Sequence, residues 1–405
     1  MDNKIFFIEE YFYPDGWGGS QITRDIALKL QNSDWYVTTF CGSKPYIKIE
    51  NNLDKDPRLF GIKINRQYVP FKSNNFFLKL VNNLFFSLQI FFKFFFIEKP
   101  SLILVQTNPP PVILVASFFS LIWNVPLVII AMDLYPDVLI KNVNNKNKNF
   151  LSKLLTKPFN FAYLSAKEVI ALGPSMRQKL VKRGCEFKKI KIINNWATGN
   201  LEVVKGKENK LRDDWNIYAK NVILYSGNLG VAHEWQTLLY ALKKSKIRPY
   251  DLQIIFISSG NKVNLAKQYS LENLFKDSVI FKSPVDYQSL PHSFGLADIG
   301  LVTLRREFDG LVVPSKFYGY ISRGIPVMYI GPHSDLSSLI SNHSCGICFK
   351  NNQIKEVADF LSNIAYSKFD LKKYSLKARE EYLNHFSSKI ALENYANLLC
   401  KYKKV

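Results

Sequence analysis

The chain reads as an α/β protein with two doubly wound domains, parallel strands covered by helices on both faces. Three observations lead there. At 405 residues it is long for one core and suits two domains of about 150–200 residues each. Short β-branched or apolar runs alternate with helical segments, the pattern of a parallel sheet with crossover helices. These runs also fall into two successive sets, each opening on a strand that feeds a glycine-bearing loop.

The first set comprises KIFFIE (4–9), WYVTTF (35–40), LILVQT (102–107), PLVIIAM (126–132) and KEVIAL (167–172). The second comprises NVILYSG (221–227), LQIIFIS (252–258), SVIFK (278–282), DIGLVTL (298–304) and PVMYIG (326–331). Between them, Trp196 to Asp213 is polar and aperiodic and reads as a linker. Open parallel sheets bind ligands beyond the carboxyl ends of their strands. Two such domains face to face would make a central cleft with a nucleotide on one side and a second substrate on the other.

Apolar residues make up 47% and charged residues 21%, a balance that excludes a disordered chain. Of the cysteines Cys41, Cys185, Cys345, Cys348 and Cys400, only Cys345 and Cys348 have C-x-x-C spacing, and no second pair completes a zinc site. Reduced thiols are expected. The opening MDNKIFFIEEYF lacks the basic region, apolar core and small-residue site of a signal peptide, so a cytoplasmic location is expected.

The net charge of +21 is uneven: residues 58–191 hold 20 Lys and Arg against five acids. Such an excess suits anionic partners, whether lipid headgroups, nucleic acid or phosphorylated substrates. A Lys- and Asn-rich genome would give the same count. Within this region, residues 75–97 (NFFLKLVNNLFFSLQIFFKFFFI) contain nine phenylalanines, with Asn75, Lys79, Asn82, Gln89 and Lys93 near helical spacing. Two placements fit. The helix lies in a bilayer interface, with Phe91, Phe92, Phe94 and Phe95 in the acyl boundary and Lys79 and Lys93 toward phosphates, or it packs on a sheet. No segment is expected to span a bilayer; the apolar run from Val112 to Trp123 is too short for roughly 30 Å of hydrocarbon.

Four constellations could carry chemistry, each at the end of a strand. Asp15-Gly16-Trp17-Gly18-Gly19-Ser20 precedes a helix, and its glycines would let backbone N–H groups approach an anion. Ser226-Gly227-Asn228-Leu229-Gly230, with His233-Glu234, is the corresponding turn of the second set. It has neither dinucleotide nor P-loop spacing, which speaks against NAD and ATP chemistry. Asp133-Leu134-Tyr135-Pro136-Asp137 follows the strand PLVIIAM, where Asp133 could orient an acceptor hydroxyl or cap the next helix. In Gly310 to Gly319, the run Pro314-Ser315-Lys316 stands at a helix start, where a lysine adds a point charge to backbone donors.

Taken together, YFYP followed by GG, Asn108-Pro109-Pro110, YSGNLGVAHEWQTLL and GLVVPSKFYGYISRGIPVMYIGP resemble glycosyltransferase family 4 over essentially the whole chain. These are retaining enzymes of GT-B fold, and the similarity points to the O-antigen, capsule and colanic-acid branch that includes N-acetyl-fucosaminyl transferases. The resemblance implies metal-independent, cofactor-free transfer from a nucleotide-sugar, UDP-linked in expectation, to an undecaprenyl-diphosphate-linked saccharide at the inner membrane face. It implies residues 1–200 as the acceptor domain carrying helix 75–97, residues 201–385 as the donor domain, and a C-terminal helix over 386–405 packing back on the first domain. Carried over by position, Gly18 and Gly19 would approach the donor phosphate, and Ser226, Gly227 and Asn228 would line the diphosphate pocket; His233 in the same turn and Pro314, Ser315 and Lys316 at the helix start are expected on the donor side from their own place in the chain. The chain departs from the family at its paired glutamates, where Leu311 and Gly319 stand, and at its acceptor-side histidine, where Met132 stands. Glu307 or Asp309 would then supply the missing carboxylate, Asp133 stands beside Met132 on the acceptor side, and Lys316 would supply the charge of the family's Arg and Lys, in whose place Asn228 and roughly His233 stand. A sugar-nucleotide epimerase of the same architecture, or a basic membrane- or nucleic-acid-binding protein, are the competing readings. Lysine dominates the charge without arginine interleaved among the aromatics, which argues against nucleic acid.

Overall fold

The computed structural model describes residues 3–15, 18–43, 59–71, 76–143, 145–260, 262–275, 277–286 and 288–403. Two compact units emerge. The first consists of Met1–Asn195, Gly310–Val313 and Ser388–Val405, the second of Trp196–Asp309 and Pro314–Ser387. The chain therefore enters the first unit three times.

The first unit holds seven strands: β1 (Lys4–Ile8), β2 (Tyr36–Gly42), β3 (Lys63–Gln67), β4 (Leu102–Gln106), β5 (Leu127–Ala131), β6 (Glu168–Ala171) and β7 (Ile190–Ile192). They lie in the order β3-β2-β1-β4-β5-β6-β7, and every pair is parallel. The second unit holds β8 (Asn221–Ser226), β9 (Leu252–Ile257), β10 (Val279–Lys282), β11 (Ile299–Thr303), β12 (Val327–Ile330) and β13 (Gly346–Phe349). Their order is β10-β9-β8-β11-β12-β13, again all parallel. In both sheets the first strand sits centrally and the order reverses beside it, which places the switch point beyond the ends of β1/β4 and of β8/β11.

The ten expected strands are all present, and β3, β7 and β13 are additions. All three are edge strands with a single neighbour. KINRQ and IKI carry charge on residues that a central strand would bury.

The first core packs Phe6, Ile8, Phe40, Ile103, Val105 and Ile129 of the sheet against Phe86, Ile90 and Phe94 of helix Phe76–Phe94. Phe94 is 1% exposed and stacks on Trp123 at 5.1 Å. It is a core residue, which corrects its assignment to a lipid face. Asn75 lies outside the described residues. The remaining polar stripe clamps neighbouring backbone. Asn82 and Gln89 each bond both the N–H and the C=O of one residue, Phe71 and Tyr68 respectively. Lys93 Nζ reaches Asn65 Oδ1 at 3.2 Å, so it too is committed to the fold and not to a phosphate.

In the second unit, Tyr320 rises against the sheet through Gly300, whose added Cβ would stand 2.2 Å from the ring. The Tyr320 hydroxyl donates to Leu224 O at 2.7 Å and accepts from Ser226 N at 2.9 Å, tying a helix to the end of β8. Gly300→Ala is therefore expected to cost about 1–3 kcal/mol by overpacking and to loosen the β8 turn, read as a lower denaturant midpoint.

Candidate functional site

At the carboxyl end of β8 the chain turns through Gly227, where φ is +121°. A Cβ here would stand 3.0 Å from Lys316 Cε, so the turn needs glycine both for its conformation and for its neighbour. Lys316 opens the six-residue helix Lys316–Ile321 and sends its side chain back over this turn. Its Nζ lies 3.3 Å from Asn228 O, 3.3 Å from His233 Nε2 and 4.9 Å from the centre of the Tyr225 ring. Burial lowers its pKa to about 8.

His233 explains that arrangement. Its Nδ1 lies 2.6 Å from Thr303 O and must donate to it, which leaves Nε2 as an acceptor toward the lysine. Burial, with the Lys316 charge behind it, holds the His233 pKa well below the usual histidine range. The ring is a neutral positioning group and adds no charge of its own.

Two cations escaped the sequence reading. Lys262 Nζ reaches Val231 O at 3.0 Å and His233 O at 2.6 Å, and burial, with Arg305 beside it, lowers its pKa to about 8. Arg305 contacts Val231 O at 3.3 Å and pairs with Glu307. Both follow strands that feed the same turn, β9 and β11, and that placement was the available signal. Ser226 and Asn228 lie in this cluster, and Glu307 is held by Arg305. Pro314 and Ser315 precede the Lys316 helix, but their carbonyls already accept from Phe317 N and Tyr318 N. The helix start thus has fewer free N–H donors than its sequence implies. Asp309 immediately precedes the segment Gly310–Val313 that belongs to the first unit. Leu311 is buried in the first core, and its carbonyl accepts from Leu134 N at 2.8 Å.

The second cluster lies at the carboxyl ends of β1, β4 and β5. Glu9 is 2% exposed; its Oε1 accepts from Asn108 Nδ2 at 3.1 Å, while its buried Oε2 takes no hydrogen bond among the described residues. Burial raises its pKa well above the carboxylate range, and the charges of Glu10 and Asp15 add to this. Glu10, also buried, is raised to about 7 by burial against the opposing effects of a Tyr11 hydrogen bond and the Lys79 charge. Lys79 thus acts on Glu10. Asp133 is raised to about 6 by burial alone, and its carboxylate takes no hydrogen bond among the described residues. The following helix, Asp137–Asn142, has Pro136 at its N-cap position and no side-chain cap, so Asp133 does not cap it. Its own N–H bonds Thr107 Oγ1 at 3.2 Å, and it forms a bridge with Val312.

Gly18 and Gly19 begin helix Gly18–Gln31, with Ser20 Oγ and Gln21 Nε2 tied to Asp15 O; Gly16 and Trp17 lie outside the described residues. The adjacent glutamates of IEEYF were the unread signal for this acidic cluster.

The first cluster can hold an anion through Lys316, Lys262 and Arg305. The second offers hydrogen-bonding carboxyl groups, two of them titrating near neutral pH.

Residues 207–380 match the family model of glycosyl transferases group 1. The chain is 24% identical over 306 residues to the Pseudomonas aeruginosa protein "Probable glycosyltransferase WbjE", covering 74% of each. It is 27% identical over 283 residues to the Candida albicans chitobiosyldiphosphodolichol beta-mannosyltransferase, spanning 65% of this chain and 60% of that protein. The crystal structure of Anabaena HepE in complex with UDP and glucose superposes with a TM-score of 0.72 at 17% identity, covering 98% of this chain and 99% of that one. The chain accordingly has the GT-B fold, and its residues 207–380 match the model of glycosyl transferases group 1.

Proposed function

We propose that this protein is a retaining glycosyltransferase that moves a sugar from a nucleotide donor to a lipid-linked saccharide in surface polysaccharide synthesis. The observation that carries it is the Lys316–His233–Asn228 cluster over the Gly227 turn, inside the domain that matches group 1 transferases. Departure of a nucleoside diphosphate leaves negative charge as positive charge builds on the anomeric carbon. A preorganised lysine in a desolvated turn stabilises the leaving group at little reorganisation cost. Lys262 and Arg305 would add to the positive field, and Glu9, Glu10 and Asp133 would orient the acceptor hydroxyl. In this reading the transfer runs without a metal, with Lys316, Lys262 and Arg305 supplying positive charge toward the diphosphate.

A UDP-linked donor is favoured by HepE, solved with UDP and glucose, and a diphosphate-lipid acceptor by the name of the Candida relative. The test is a thermal-shift screen against UDP, GDP, ADP and TDP sugars. It is followed by mass spectrometry with an undecaprenyl-diphosphate saccharide and NMR of the product's anomeric centre. Stabilisation by no nucleotide, or inversion at that centre, overturns the corresponding part.

Membrane attachment at the inner face is part of the same reading. Phe92, Phe95 and Phe96 are 60%, 56% and 87% exposed, and Phe118, Leu121 and Ile122 continue the surface on helix Val112–Trp123. Phe150, Leu154 and Phe161 add a third row on helix Asn145–Ser165, beside exposed Lys153 and Lys157. An apolar face this wide marks an interaction surface, and flanking lysines suit anionic headgroups. No helix is long and apolar enough to cross a membrane among the described residues. Replacing Phe92, Phe95 and Phe96 together by Ser is expected to abolish sedimentation with anionic liposomes while leaving Tm nearly unchanged. Phe94→Ser should instead cost roughly 3–5 kcal/mol of stability. Retained liposome binding by the triple variant removes the surface from the proposal.

A further inference from the structure

Among the described residues, one cluster of metal-ligating side chains lies outside both sites. His343 Nδ1 lies 2.6 Å from Glu381 Oε2, and His385 Nε2 lies 3.3 Å from the same oxygen. One ligand atom from each residue falls within 4.8 Å of the other two. We propose that His343, Glu381 and His385 bind a divalent transition metal ion of the zinc type, which locks the back of the Lys316 helix in place.

Local structure brings the three together. Glu381 ends helix Leu371–Glu381, and the chain continues as a π-helical turn over Tyr382–Phe386, which sets His385 beside the carboxylate. Turns of this kind recur at functional sites. His343 directly follows helix Asp335–Asn342, whose carboxyl end carries partial negative charge that favours a cation. Two imidazoles and a carboxylate, with one open position, are a common zinc ligand set.

The two edges to Glu381 suit that ion, and the two imidazoles, whose ligand atoms lie within 4.8 Å of one another, would close on it. Zinc–nitrogen and zinc–oxygen bonds of about 2.0–2.2 Å at tetrahedral angles separate ligand atoms by about 3.3–3.5 Å. The His385–Glu381 edge is already at 3.3 Å, and the His343–Glu381 edge would open by less than 1 Å. The metal would replace the hydrogen on His343 Nδ1, which passes to Nε2 of the same ring. Access is open, since the His385 side chain is 54% exposed. Cys345 is buried with its thiol pushed up to about 12, chiefly by burial, so no thiolate competes from that position.

The consequence for the fold runs through Phe386, the next residue after His385. Its ring packs against Phe317 at 5.9 Å, Tyr318 at 5.7 Å and His343 at 5.7 Å. Phe317 and Tyr318 directly follow Lys316. Ser375 Oγ donates to Gly324 O at 2.6 Å, and Arg379 binds Ser322 O, so the same helix also holds the far end of that segment. An ion at the two histidines would fix the Phe386 wedge and, through it, the direction of the Lys316 side chain.

The test uses the metal-free full chain, titrated with zinc against a chromogenic chelator. One zinc per chain is expected, with affinity lowered at least roughly tenfold in His385→Ala and in His343→Ala. Zinc should raise the Tm of the wild type and not that of His385→Ala, whose exposed ring makes it the variant safest for folding. Cobalt should give d–d bands without a thiolate charge-transfer band. Failure of the wild type to bind zinc more tightly than the double variant His343→Ala/His385→Ala leaves only a hydrogen-bonded trio and overturns the proposal. A thiolate band assigns the metal to the cysteines and also overturns it. None of these readouts depends on sugar transfer, so their failure is separable from failure of the transferase reading.

Discussion

Lys316→Met is expected to weaken nucleotide binding by roughly 10- to 100-fold, to abolish sugar transfer, and to make the nucleotide-free protein more stable. The first effect follows from losing a charge-assisted hydrogen bond to a diphosphate, worth about 1.5–3 kcal/mol. The last follows from the direction of its pKa. Burial lowers the Lys316 ammonium from 10.5 to about 8, so below pH 8 the folded state carries the full cost of a desolvated charge. That cost fades as pH rises from about 8 to 10.5, where the unfolded chain binds the extra proton and stability climbs. Lys316 is only partly buried, so solvent screening limits the gain on its removal to about 1 kcal/mol. Wild-type nucleotide affinity should fall by up to tenfold per pH unit above 8, as the free lysine loses its proton, and this slope should vanish in the variant. Calorimetry across pH 6–9 and a denaturant melt check all three. Nucleotide affinity within twofold of wild type removes Lys316 from the donor site. Lys316→Arg should not restore transfer, because a planar fork cannot occupy the space beside Gly227 and His233.

The acceptor side gives the second large effect. Asp133→Asn should lower turnover by roughly 10²–10⁴-fold, the range for loss of a general base, with nucleotide affinity unchanged. Its stability signature is opposite to that of a salt-bridged carboxylate. With its pKa raised by burial from 3.8 to about 6, Asp133 contributes stability below pH 4 that is lost as pH climbs to 6. Asp133→Asn should therefore match the wild type near pH 4 and exceed it by about 1–2 kcal/mol at pH 7.5, the partial exposure of the side chain discounting the full shift. Glu10→Gln should shift the same crossover toward pH 7, since its carboxyl is raised to about 7. Full turnover in Asp133→Asn would leave this carboxylate a bystander to the chemistry and turn attention to Glu9, whose Oε2 is buried without a partner among the described residues.

Much of the architecture was legible because it is written in local pattern. Ten apolar runs became ten strands, and the Ser226 and Asp133 turns lie at strand ends because parallel topology leaves no other place for them. Three of the four edge strands were not legible, since KINRQ, IKI and GICF pair on one side only and need no long apolar run. Helix 76–94 was legible as a helix and not in its orientation. Its composition fits a bilayer interface or a core, and only the position of Phe6, Phe40 and Trp123 selects Phe94 for the interior and leaves Phe92 outside.

By itself the sequence determined the fold class, the positions of the strands that apolar runs form and the glycine turn that a donor phosphate would meet, because each depends on residues close in the chain. The tertiary structure alone decided what the charged groups do. It turned Lys316 onto His233 across 83 residues, made that histidine a neutral acceptor, set Lys262 and Arg305 around the same turn, and buried Glu9 and Glu10 beside Asn108. Charge state and reach are set by burial and by through-space neighbours, and neither is encoded at the spacing of a motif.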